Sequence, residues 1–150
     1  MHSGRVRLFL AGLGILLASA GCGGSNTAGA GANSEQQAAA DAAVRLEGSW
    51  LLMEFQPEAT LEPMLAAFLG AQLKQLRVTF HAGNMTIDGV GVNTERNYRV
   101  TQAAADGFAL TIVDPTNVEY RVTGAFEGTS LGFTSLSDPW RGRGRLQRAR

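Results

Sequence analysis

Between Leu76 and Phe133 apolar side chains recur at every second position, in short runs broken by Gly, Asn, Asp and Pro. A period of two is that of a pleated strand with one buried and one wet face, and connections this short make neighbouring strands pair antiparallel. Eight strands are predicted: Leu46–Phe55, Leu76–Phe80, Asn84–Asp88, Glu95–Gln102, Gly107–Val113, Val118–Glu127, Ser130–Leu136 and Gly144–Ala149. Turns fall at His81–Asn84, Ala105–Gly107, Asp114–Asn117, Gly128–Thr129 and Ser137–Pro139, where Gly, Asn, Asp or Pro supplies the backbone angles a turn needs. Leu76, Val78, Phe80, Met85, Ile87, Tyr98, Val100, Phe108, Leu110, Ile112, Val118, Tyr120, Val122, Phe126, Leu131 and Phe133 share one face; threonines and arginines fill the other. The first strand is apolar on both sides past Trp50, as a strand covered on both faces would be. One short helix is expected after it: Leu61, Met64, Leu65, Phe68 and Leu69 lie on one helical stripe, with Pro63 in the first turn and Gly70 at the C-cap position. The chain therefore reads as an all-β protein, an antiparallel sheet curled round its own core.

The first 43 residues have a different texture. Arg5 and Arg7 precede the apolar run Leu8–Ala18, which is followed by small residues up to Cys22. These are the three parts of a signal peptide, here residues 1–21. The apolar run is shorter than the roughly 20 residues that span about 30 Å of hydrocarbon. Its ending, Ser19-Ala20-Gly21-Cys22, resembles the lipobox of bacterial lipoproteins, although Ser19 stands where that family usually has an aliphatic residue. The resemblance implies cleavage before Cys22 and lipidation of Cys22. Ala18-Ser19-Ala20 also reads as a site for ordinary signal peptidase, which would release a soluble secreted protein. Residues 22–43 are Gly, Ala, Ser, Asn and Gln with few charges and no large apolar side chain, the composition of a flexible tether with a reach of roughly 25 Å. The alanines equally permit a helix over Gln36–Leu46. The domain is expected to span 44–150.

Composition excludes several function classes. Thirteen basic residues balance thirteen acidic ones, which argues against broad phosphate neutralisation and hence against a nucleic-acid partner. A single cysteine excludes an internal disulfide framework and a cysteine zinc site. Beyond the signal peptide His81 is the only imidazole, in a turn and with no nucleophile and acid grouped beside it. Gly128-Thr129-Ser130-Leu131-Gly132 matches a nucleophile-elbow pattern, yet no histidine follows Ser130 and the context is a hairpin. Glu54, Glu58 and Glu62 match no EF-hand spacing and read as a solvated face. No enzyme site, metal or cofactor is expected. From Val44 to Asp138 six basic residues meet eleven acidic ones, while Arg141, Arg143, Arg145, Arg148 and Arg150 end the chain. The alternating Gly and Arg of that tail fit a last strand with small residues inward and cations held against an acidic body.

The segment Leu46-Glu47-Gly48-Ser49-Trp50 resembles the Gly-x-Trp signature of lipocalins and the L-x-G-x-W opening of small lipocalin-like domains in bacterial lipoproteins. The resemblance implies an up-and-down barrel of about eight strands in which Trp50 plugs the closed end, Gly48 admits a close neighbour, and a last-strand arginine packs over the tryptophan. Arg148 is the matching position, with Arg145 next best. The family's second motif is at most echoed by Thr116-Asn117 and Tyr120. The expected function is a lipoprotein of the bacterial cell envelope, anchored to a membrane through Cys22, the outer membrane or cell surface first. Its barrel would bind a small apolar or amphipathic ligand through Phe80, Tyr98, Phe108, Tyr120, Phe126 and Phe133. The alternative is a non-enzymatic structural or protein-interaction lipoprotein with a filled core, acting through the Trp140-Arg141 loop or an open sheet edge.

Overall fold

Eight antiparallel strands close into one barrel in sequence order, β1 (Gly48–Pro57), β2 (Arg77–His81), β3 (Asn84–Gly89), β4 (Val92–Ala103), β5 (Gly107–Val113), β6 (Glu119–Glu127), β7 (Ser130–Ser135) and β8 (Gly142–Arg148). The structure, a computed structural model, describes residues 27–150. The signal segment and Cys22 lie outside the described residues. The all-β antiparallel barrel expected from the alternation is thus present, with its short helix α2 (Pro63–Gln72) between β1 and β2. Closure runs along most of β1, from Trp50 opposite Arg148 to Pro57 opposite Gly142, with a register shift between Leu52 and Glu54. It removes the open sheet edge that the interaction reading invoked: each strand is paired on both sides.

Last-strand glycines make that closure close-fitting. Gly142 and Gly144 face inward, alternating with Arg141, Arg143 and Arg145; a Cβ on Gly144 would strike the Phe133 ring and lie 2.8 Å from the Glu54 carbonyl. The flanking arginines point out to acidic partners, Arg145 to Glu54 and Arg141 to Glu58 and Asp138. The inward residues form a continuous core that includes Trp50, Leu52, Val78, Phe80, Met85, Tyr98, Phe108, Leu110, Phe126, Leu131 and Leu146. Val118 departs from its expected face: β6 begins one residue later, and Val118 is 48% exposed in the preceding turn.

The largest correction concerns the tether. Residues Thr27–Leu46 form a 20-residue helix, α1, where composition predicts flexible chain over most of 22–43; its buried residues are Ala42 and Leu46, at the end next to the barrel. Two causes combine. Alanine is the best helix former, and the helix end is fixed by tertiary contacts that composition does not reveal. Ala42 is 5% and Leu46 0% exposed. The last carbonyls of a helix lack intrahelical partners, and here side chains from both ends of the barrel sequence supply them. Trp50 Nε1 donates to the Leu46 carbonyl at 2.8 Å, and Arg148 donates to Arg45 at 2.7 Å and to Glu47 at 2.9 Å. The same guanidinium lies 4.5 Å from the Trp50 ring centre, a favourable cation–π distance. Gly48 adopts φ 107°, and a Cβ there would stand 3.0 Å from Arg148 Nη1. Gly48, Trp50 and Arg148 therefore close one end of the barrel together with the C-terminus of α1.

At the other end α2 runs past Gly70 to Gln72, two residues beyond the expected cap. Gln72 holds it there. Its side chain is 2% exposed and exchanges two hydrogen bonds with the backbone of Val90, Nε2 to the carbonyl at 2.8 Å and the Val90 N–H to Oε1 at 3.0 Å. This copies a strand pairing with a side-chain amide, and it needs Gly89, since a Cβ there would run into Gln72 Oε1. Among the described residues no helix is long and apolar enough to cross a membrane.

Candidate functional site

The inward side chains leave part of the barrel interior unfilled. A cavity of about 440 Å³ occupies it, within the roughly 300–1,000 Å³ of sites that take small molecules. Its floor is laid by Leu46, Phe80, Met85, Phe108, Leu131 and Leu146, near the end closed by α1. Its walls rise through Leu110, Ile112, Val122 and Phe133 to a mouth bordered by Phe68 and Leu69 of α2 and by Pro139 and Trp140 of the β7–β8 loop. Phe68 and Trp140 meet there with ring centres 6.0 Å apart.

Four of the six expected ligand-facing aromatics, Phe80, Phe108, Tyr120 and Phe133, line this cavity. Tyr98 and Phe126 do not. Tyr98 packs edge-on against Phe80 with ring centres 5.0 Å apart, and burial together with the nearby Glu47 charge pushes its hydroxyl pKa up. Phe126 lies against Phe108 at 5.0 Å and beneath the Arg45 guanidinium at 4.0 Å, so it belongs to the plug under α1.

The sequence reading misses the polar part of the wall. Thr94 and Arg96 line the cavity together with Tyr120, Gln72 and Ser135. Arg96 lies 5.3 Å from the centre of the Tyr120 ring and 3.7 Å from Asp114 Oδ2. Asp114 is itself saturated. Its Oδ1 accepts from Thr116 N, Thr116 Oγ1 and Val118 N at 2.7–3.0 Å, and its Oδ2 accepts from the Tyr120 hydroxyl at 3.3 Å. The Thr116 hydroxyl and then the Val118 N–H hold the carboxyl below its ordinary pKa. Strand parity carries the missing signal: Thr94 and Arg96 are four and two residues from Tyr98 and so share its inward face.

The remaining reactive residues do not converge on the cavity. His81 has an 84% exposed side chain beside Glu47 at 3.2 Å. Ser130 opens β7 directly after the Gly128 turn, where φ is 63°. Glu54 and Glu58 are engaged by Arg145 and Arg141 on the outside. A comparison with protein-family models, curated proteins and solved structures finds no match for the chain.

Proposed function

We propose that this chain is a lipocalin-like envelope lipoprotein, anchored through Cys22, whose barrel carries a small apolar or amphipathic molecule and catalyses no reaction. The observation that carries the binding half is the apolar cavity of about 440 Å³ inside a closed barrel, opening between α2 and the Trp140 loop. An interior left this empty forgoes dispersion contacts along its walls, and an apolar guest restores them. A cavity of that volume favours the carrier over the filled core of the alternative reading. The lipocalin-like reading draws support from Arg148 over Trp50 at the closed end and from the sequential eight-strand order. Anchoring rests on the basic residues, apolar run and Cys22 of the N-terminus.

Native mass spectrometry of the full chain, purified without detergent and compared before and after organic extraction, tests the carrier. A discrete extra mass lost on extraction supports it; a bare chain that also takes up no fluorescent fatty acid overturns it. For the anchor, Cys22→Ser is expected to abolish incorporation of labelled palmitate, and undiminished labelling would refute lipidation at that residue.

A further inference from the structure

The two ends of the barrel are built from different residues. At the end that α1 closes, the strands are joined by Ala82-Gly83, Ala104-Ala105-Asp106 and Gly128-Thr129, which carry no large apolar side chain. Antiparallel pairing in sequence order puts the other four connections together at the mouth. These hold the exposed large apolar residues: Met64, 82% exposed, and Phe68 on α2, Val90 between β3 and β4, Val118 between β5 and β6, and Leu136 between β7 and β8. Among the described residues only Val44 of α1 is a large exposed apolar residue elsewhere. Trp140 joins the ring through its contact with Phe68. The helix α2 carries no charge from Pro63 to Gln72, and the surface it turns to solvent, Met64, Ala67, Phe68 and Ala71, is apolar. Apolar residues scattered singly over a surface are ordinary, whereas a group confined to one region marks an interaction site.

The makeup of the ring decides what it fits. Protein partners are recognised through a few anchors seated in pockets, with a hydrogen-bonded rim around them. Here the apolar side chains stand on four separate connections around an opening. A fluid lipid surface accepts such an arrangement without a match of shape, because the hydrophobic effect is non-directional and scales with apolar area. Charge narrows the lipid. The four connections hold Glu58, Glu62, Asp114 and Asp138 against Lys74 and Arg141, and Arg141 is engaged by Glu58 and Asp138. Anionic leaflets recruit clusters of Lys and Arg; an acidic ring is repelled by them. We infer that the mouth of the barrel docks on a lipid surface of zwitterionic headgroups, inserting Met64, Phe68, Leu136 and Trp140. The inference concerns the outer face of the mouth and does not require a guest inside the barrel.

Fluorescence tells the two ends apart, because the chain has two tryptophans: Trp50, 1% exposed at the closed end, and Trp140 in the ring. The full chain is mixed with vesicles of phosphatidylcholine or of its dibrominated analogue, whose bromines quench an indole that enters the lipid. Trp140 emission is expected to be quenched, and Trp140→Phe to leave only Trp50 emission, which bromine does not reach. Met64→Glu combined with Leu136→Glu is expected to raise the lipid concentration for half-maximal quenching at least about tenfold, since two apolar side chains no longer enter the lipid. Neither residue lines the cavity, so uptake of a fluorescent fatty acid by this double variant should match the parent's. Quenching in a parent that takes up no fatty acid keeps the docking and overturns the carrier. Unquenched Trp140 overturns the docking, even where the N-terminal apolar run holds the chain to the vesicle. Quenching that appears only when phosphatidylglycerol is added overturns the choice of headgroup. Dimerisation without vesicles that the double variant loses assigns the ring to a second copy of the chain and overturns the lipid surface.

Discussion

At Gly48 the backbone takes φ 107° and leaves 3.0 Å between Arg148 Nη1 and the place a Cβ would occupy. An alanine there is strained twice, by its own backbone and by the displaced arginine. Gly48→Ala is expected to destabilise by about 1–3 kcal/mol and to shift Trp50 fluorescence to the red as water reaches the indole; an unchanged urea midpoint would refute the closed-end arrangement. Asp114 gives a second residue-level test. Its carboxyl is held below the ordinary value of 3.8 by Thr116 and Val118, so its contribution to stability is complete above that value and is lost as pH falls through the lower folded value. Asp114→Asn should therefore unfold at lower urea than the parent near neutral pH, and the gap should close below about pH 3.8; a gap independent of pH would show that charge is not the cause. Single residues were also where the sequence was hardest to read. Phe80, Phe108, Tyr120 and Phe133 announce themselves as apolar members of alternating runs, whereas Thr94 and Arg96 look like solvent residues in Glu95–Gln102, a predicted strand that starts too late to count Thr94. Only their parity with Tyr98 turns them inward.

Among the elements, the strands were legible to within a few residues because alternation and turn chemistry agree at each boundary, as at Gly128, where a positive φ of 63° marks the β6–β7 hairpin. The helix α2 was legible for a similar reason, an apolar stripe behind a proline, but its end was not. Gly70 offers a local stop, and the tertiary bonds from Gln72 to Val90 carry the helix on. The helix α1 was largely hidden. Its sequence has no apolar stripe, and its docking rests on Ala42, Leu46 and carbonyls that Trp50 and Arg148 reach. Leu46 accordingly bears most of the apolar contact. Leu46→Ala is expected to cost about 2–5 kcal/mol and to bring earlier amide exchange in α1, read by urea denaturation and hydrogen exchange. A loss under about 0.5 kcal/mol, typical of surface substitutions, would mean that α1 does not seal the barrel.

For the whole molecule the decisive property is the balance between an empty interior and a closed wall. Val122 is half-buried on that wall, and Val122→Trp should occupy cavity space, abolish uptake of the fluorescent fatty acid and leave the thermal midpoint equal to or above the parent's. Retained uptake would place the guest elsewhere. The closed wall has a further consequence, in time. The first strand to be synthesised, β1, lacks one of its two partners until β8 exists, and the Arg148 bond to the Arg45 carbonyl joins positions 103 residues apart. A chain elongating at about 5–20 residues per second thus spends its synthesis with the ladder unclosed and the indole of Trp50 unsealed. Completion waits for the last segment. The β1–β8 seam, and with it the seal over Trp50, is therefore the part of the barrel that no partly synthesised chain can possess.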